Sequence, residues 1–263
     1  MDLQLTDKHV LITGASRGIG LAVVRAFRAE GAVVTATARH SSPELDATGA
    51  HFVAADLSTP DGPEHLLSAV LAERPELDVL VNNAGGGTIP DHVLTDPFGG
   101  QDADWESTFA LNLYAAVRTA RAALPALTRS RGALINLGSD SALRPHSAPL
   151  PYSAAKAALN AFSRGLAEQV AASGVRVNVV TPSATRTPLL TGDGSFIARM
   201  AAEHGADPAT LWADFAGQNG MLTGELIDPE EIARVIVLLS SPTLPSAVGS
   251  NWALHAGALK MPA

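Results

Sequence analysis

The chain has 263 residues, of which 46% are hydrophobic and 17% charged, with a formal net charge of −8. Such a chain is long and apolar enough to bury a substantial core, which excludes disorder, and its lack of cysteine excludes disulfide scaffolds, thiol nucleophiles and cysteine-type zinc sites together. An acidic balance with 5% aromatic residues offers neither the basic stripe nor the stacking rings that a nucleic acid partner needs.

No apolar run reaches the roughly 18 residues that span a bilayer, and the opening MDLQLTDKHV carries acidic residues where a signal peptide has basic ones. A cytoplasmic protein with no membrane partner is expected. The histidines stand singly, without a His-x-x-x-His or Glu-x-x-His pair, so no metal site is expected either.

In chain order, HVLITG at 9–14 reads as a strand, LAVVRAFRAEG as a helix and VVTATAR as a second strand, followed by strands at HFVAAD and DVLVNNAG. The helical stretch WESTFALNLYAAVRTARAALPAL at 105–127 leads to GALINLGS. A second helical stretch, YSAAKAALNAFSRGLAEQVAAS at 152–173, leads to VRVNVVTPS. PEEIARVIVLLSS and the short strand NWALHA close the series. Near-continuous apolar strands alternating with helices imply an α/β fold, a single doubly wound parallel sheet of about seven strands with helices on both faces. No linker divides residues 1–263, so one domain is expected. Two segments interrupt the alternation, 85–104 and 188–225, and both fall at the carboxyl edge of the sheet, where such folds bind ligands.

TGASRGIG at 13–20 lies between the first strand and the first helix. Glycines there permit a sharp turn and close approach to a pyrophosphate, while the helix N-terminus presents free N–H groups. At the tip of the second strand stand Ala38 and Arg39, where a carboxylate would select NAD. Arg39, with Arg17 in the glycine turn, is suited to grip a 2′-phosphate. NADP(H) is therefore favoured over NAD(H), the alternative being two merely solvated arginines.

Tyr152 and Lys156 are four residues apart and share one helix face. A free tyrosine titrates near pH 10, so proton exchange at neutrality needs a shift of about three units, or about 4 kcal/mol. One unit charge about 4 Å away in an effective dielectric near 20 supplies about that much.

The pattern T-G-x-x-x-G-x-G at 13–20, with NNAG at 82–85 and YSAAK at 152–156, resembles the short-chain dehydrogenase/reductase family, from Val10 to about Gly257. The resemblance implies a catalytic set of Asn112, Ser139, Tyr152 and Lys156. Tyr152 would be the general acid in reduction and base in oxidation. Ser139 would bond the reacting oxygen, Lys156 would lower the tyrosine pKa and hold the nicotinamide ribose, and Asn112 would hold a relay water. Ser139 lies thirteen residues before the tyrosine, as the family requires; Ser141, eleven before it, is the second choice.

Cofactor contacts implied in the same way are Gly14, Ser16, Arg17, Gly18, Ile19, Gly20, Arg39, Asp56, Leu57, Asn83, Ala84, Gly85, Tyr152, Lys156, Pro182 and Thr187. Asp56 would hold the adenine amino group and Asn83 would back the ribose. Read alone, Asp56 equally caps the following helix and Asn83 equally closes a turn. Asp140 is expected to face solvent or cap its loop.

The chain departs from the family pattern at Ser183, where glycine is usual and where a need for positive φ or for a close cofactor approach would shift the loop slightly, and at His255, Ala256 and Gly257, with no catalytic role expected of His255.

Residues 188–225 would form a substrate lid whose apolar members are Phe196, Ile197, Met200, Leu211, Trp212, Phe215 and Met221, half of them facing the sheet. His92 and Phe98 would complete the pocket. The implied function is hydride transfer between NADP(H) and a carbonyl or secondary alcohol of an apolar, medium-sized substrate, as in reduction of a 3-oxoacyl, polyketide or similar ketone. The alternative is a catalytically silent NADP-binding regulatory or scaffold protein. Ala-rich helices beginning at Trp105 and Tyr152 imply a homotetramer or homodimer.

Overall fold

The computed structural model describes residues 1–86, 90, 92–93, 96, 98–192, 195–205 and 207–259, without the side chains of 196, 200, 203–204, 208–209 and 212–213. The strands are β1 (His9–Thr13), β2 (Val33–Ala38), β3 (His51–Ala54), β4 (Val79–Asn82), β5 (Ala133–Leu137), β6 (Arg176–Pro182) and β7 (Asn251–Leu254). They form one sheet in the order β3-β2-β1-β4-β5-β6-β7, every neighbour parallel. The chain reverses direction across the sheet between β1 and β4, which opens a crevice beyond their carboxyl ends.

Every residue of β1, β4, β5 and β6 is buried, which is why those strands read as near-continuous apolar runs, polar members such as Asn82, Asn136, Arg176 and Asn178 being buried with hydrogen-bond partners. Alternation along β1 divides the core in two. Val10 and Ile12 join Val23, Val24 and Phe27 of α1 (Gly18–Ala29) and Ile232 and Ile236 of α10 (Pro229–Ser240). Leu11 faces the other side, with Leu66 and Leu67 of α3 (Gly62–Glu73) and Ala123 and Leu127 of α5 (Ala115–Ser130). A short α2 (Pro43–Asp46) follows β2.

The helix expected over 105–127 is longer and broken. α4 (Asp102–Phe109) starts at a Gln101/Asp104 capping box, and a π turn over Ala110–Tyr114 separates it from α5. The wider turn changes the direction in which side chains project and leaves Asn112 buried. α6 (Leu150–Val170) begins two residues before Tyr152, with Pro151 in its first turn, where its missing N–H is harmless. After β6 come α7 (Pro188–Thr191), α8 (Phe196–His204) and α9 (Pro208–Gln218). Ser195 and Asp207 accept N–H bonds at the starts of α8 and α9.

Candidate active site

The glycine turn is held from two strands. Thr13 Oγ1 at the end of β1 accepts bonds from the backbone N–H groups of Asn83 (3.0 Å) and Ala84 (2.9 Å), just past β4. The Asn83 side-chain amide donates to the carbonyls of Thr13 (2.9 Å) and Gly14 (3.0 Å). Asn83 thus braces the turn. Gly14 and Gly18 have φ of 64° and 56°, and a β-carbon on Gly20 would lie 2.3 Å from the Gly14 carbonyl oxygen. Arg17 occupies the N-cap of α1 without a side-chain cap bond, which leaves the first N–H groups of that helix open to an anion.

Ser16 lends its carbonyl to Ser42 Oγ at 2.8 Å, tying the turn to the segment after β2. Arg17 and Arg39 are exposed, and neither has an ion pair or hydrogen bond among the described residues. Asp56 is exposed; its Oδ1 accepts from Ser58 N–H (3.0 Å) and Ser58 Oγ (2.6 Å), which hold its carboxyl below the usual range, with the Arg39 charge a minor contribution. Leu57 behind it is buried. Pro182 ends β6 opposite Leu254, Ile19 is half-buried in α1, and Thr187 packs against the glycine turn, 3.2 Å from where a Gly18 β-carbon would stand. The glycine cradle and the open helix end suit a dinucleotide pyrophosphate.

Asn112, Lys156 and Gly85 meet at one point. A β-carbon on Gly85 would lie 3.0 Å from Asn112 Oδ1 and 3.3 Å from Lys156 Nζ, a tight fit that would make those side chains give way. Asn112 Oδ1 accepts from Gly86 N–H at 2.8 Å, and its Nδ2 donates to the carbonyls of Gly86 and Thr108, each at 3.0 Å. Lys156, 3% exposed, donates from Nζ to the Leu137 carbonyl at 2.8 Å and lies 5.7 Å from the centre of the Tyr152 ring. The Ser139 hydroxyl, rather than that of Ser141, lies near enough to Tyr152 to act on its phenol; Ser141 is buried, and its hydroxyl is bonded to Ser139 Oγ at 2.9 Å.

The protonation states differ from the expected ones. Burial pushes the Tyr152 phenol up to about 12, the Ser139 bond opposing it and the Asp140 charge adding to it. Burial also brings Lys156 down to about 8. The ammonium therefore loses its proton before the phenol does, and in the protein alone it does not make the tyrosine acidic. The surface-like dielectric assumed from the sequence omits this desolvation.

Asp140 corrects a second expectation. It is buried, and its Oδ2 accepts from Ser183 Oγ (2.6 Å) and from Arg144 Nε (2.8 Å) and Nη2 (2.7 Å). Ser183, standing where glycine is usual, has no positive φ, so its backbone conformation gives no reason for a loop shift. The Asp140–Arg144 pair has the four-residue spacing of a local ion pair, but nothing in that spacing signals the contacts with Ser183 and Asn219.

In the segment after β6, Ile197 and Met221 are buried, and Leu211 and Phe215 half-buried; the side chains of Phe196, Met200 and Trp212 lie outside the described residues. His92 pairs with Asp104 at 2.9 Å. Phe98 is 76% exposed, and its carbonyl accepts from the Trp105 indole. His255 Nδ1 accepts from Leu259 N–H, a local terminal contact. Among the described residues, no cluster of His, Asp or Glu could hold a metal ion, and no helix is long and apolar enough to cross a membrane.

A parallel sheet with an anion-binding glycine turn at its switch point defines a dinucleotide-binding α/β protein. The family model "short chain dehydrogenase" matches residues 8–196, and the chain belongs to that family. It is 34% identical, over 99% of both chains, to an uncharacterized oxidoreductase of Bacillus subtilis, YvrD. It is 31% identical to the 3-oxoacyl-acyl-carrier-protein reductase FabG of Vibrio cholerae, covering 97% of this chain and 98% of that one. L-sorbose reductase from Gluconobacter frateurii, solved with NADPH and L-sorbose, superposes over 100% of both chains with a TM-score of 0.88 and 30% identity. The protein is an oxidoreductase of the short-chain type acting on CH–OH or C=O groups.

Proposed function

We propose that the protein is an NADPH-dependent reductase that converts a medium-sized ketone into a secondary alcohol. The observation that carries this reading is the gathering of Lys156, Asn112 and Gly85, with the Tyr152 ring 5.7 Å from the Lys156 ammonium, next to the brace of the glycine turn. Bound NADPH supplies the hydride. Ser139 hydrogen-bonds the carbonyl oxygen, and Tyr152 gives that oxygen its proton. A phenol held near 12 stays protonated at working pH and is ready as the acid. Charged Lys156 then stabilises the negative charge left on the phenol, while Asn112 holds a water for reprotonation.

Exposed Arg17 and Arg39, in place of a carboxylate at the β2 tip, support NADPH, as does the NADPH bound to L-sorbose reductase. Residues 188–225 cover the substrate. FabG and L-sorbose reductase are both named as reductases, of a 3-oxoacyl group and of a sugar ketone, and support ketone reduction. Tyr114, 45% exposed beneath Arg118, and the stacked Trp105–Phe109 pair leave α4 without a buried residue in the single chain. That face supports a homodimer or homotetramer.

The test is Tyr152→Phe, assayed by NADPH titration and by NADPH oxidation with ethyl acetoacetate and L-sorbose. Binding should survive and turnover vanish; an undiminished rate would refute the assignment. NADPH binding by the wild type with no turnover of any ketone would favour the silent scaffold instead.

A further inference from the structure

We propose that Arg144 is a positioning residue whose guanidinium fastens the C-terminus of α9 to the loop bearing Ser139, so that ketone affinity depends on it while NADPH affinity does not. The proposal rests on the reading that Ser139 and residues 188–225 form the ketone site.

The geometry joins three segments distant in the chain. Arg144 Nε and Nη2 hold Asp140 Oδ2 at 2.8 and 2.7 Å, Nη2 reaches Ser183 Oγ at 3.3 Å, and Nη1 donates to the Asn219 carbonyl at 2.6 Å. Asn219 is the C-cap of α9, so a cation sits where the helix presents unpaired carbonyls and partial negative charge. Asp140 directly follows Ser139, and Ser183 directly follows β6. One guanidinium therefore sets the distance between the serine loop and the end of the covering segment.

The cluster is polar and enclosed, with the Arg144 and Asp140 side chains 14% and 9% exposed. Burying such groups is costly unless each is satisfied, and an apolar contact would close the same gap at lower cost. The pair makes sense as a device for registry, because a planar fork fixes direction as well as distance. Ser183 belongs to the same device. Its hydroxyl donates to Asp140 Oδ2 at 2.6 Å, a bond the usual glycine could not make. The departure from the family pattern at Ser183 and the burial of Asp140 thus have one physical explanation.

A covering segment that is fastened only part of the time lowers apparent affinity by the fraction closed. Loosening it should raise the ketone KM more than it lowers kcat, and leave the glycine turn alone.

The experiment measures hydrogen exchange of the full chain in wild type, Arg144→Met, Arg144→Lys and Ser183→Gly. Exchange over 208–219 should quicken at least about tenfold in Arg144→Met, the scale of a lost charge-assisted hydrogen bond. Arg144→Lys and Ser183→Gly should show smaller increases, with strands β1 and β5 keeping wild-type protection. KM for ethyl acetoacetate should rise about tenfold in Arg144→Met with an unchanged NADPH Kd. Unaltered exchange over 208–219, or an equal increase throughout the sheet, would overturn the proposal. If Arg144→Met does not fold, Arg144→Lys and Ser183→Gly decide it by the same criteria. Exchange needs no turnover, so a failed reductase reading is distinguished from a failed clamp.

Discussion

Raising the pH through about 8 should slow ketone reduction, because Lys156 loses its proton there. Its ammonium is 3% exposed and donates to a neutral carbonyl, that of Leu137, and among the described residues no ion pair offsets the loss of water. The fall from 10.5 to about 8 corresponds to about 3 kcal/mol of lost solvation. At 5.7 Å from the Tyr152 ring, with an effective dielectric near 20, the same charge is worth about 3 kcal/mol to a phenolate, or about a hundredfold in rate. Initial rates of NADPH absorbance loss, from about pH 6 to 10, give kcat/KM for NADPH, which reports the free protein. The profile should be level below about 8 and fall toward a plateau about a hundredfold lower. Lys156→Met should sit near that plateau throughout, and Lys156→Arg, which stays charged, should lose the alkaline fall. An alkaline fall at the same pH in Lys156→Met would refute the reasoning.

Arg39→Asp places a carboxylate at the β2 tip and should weaken NADPH binding about ten- to a hundredfold while leaving NADH binding level or tighter, read by fluorescence titration of both. Arg176→Leu should lower stability by about 3 kcal/mol, because the buried guanidinium donates to the carbonyls of Leu239, Ser240 and Ser241 at the end of α10. Thermal unfolding should shift down by about 6–12 °C, and a shift under about 2 °C would contradict this role. Burial lowers the pKa of His9 below 6.5. The unfolded chain therefore takes up the proton first, so the His9 contribution is complete above about 6.5 and is lost as pH falls through the depressed folded value. Denaturant unfolding at about pH 7.5 and 5.5 should show that acid loss in the wild type and less of it in His9→Gln.

The strands, their parallel arrangement, the glycine turn and the Tyr152–Lys156 pair were determined by the sequence alone, because each depends on spacing within a few residues. An apolar run of five, a glycine that must turn, and two side chains one helical turn apart keep their meaning wherever the segment packs. The tertiary structure decided what depends on neighbours far along the chain. Asn83 braces the turn because Thr13 and Gly14 lie beside it, about seventy residues earlier. Asn112 turns inward through a π turn that no periodicity announces. Asp140 is held by Ser183, 43 residues on, and by an arginine whose remaining arm reaches Asn219. Burial, a property of the whole packed molecule, disfavours the charged forms of both the phenol and the ammonium, and local spacing carries no sign of it.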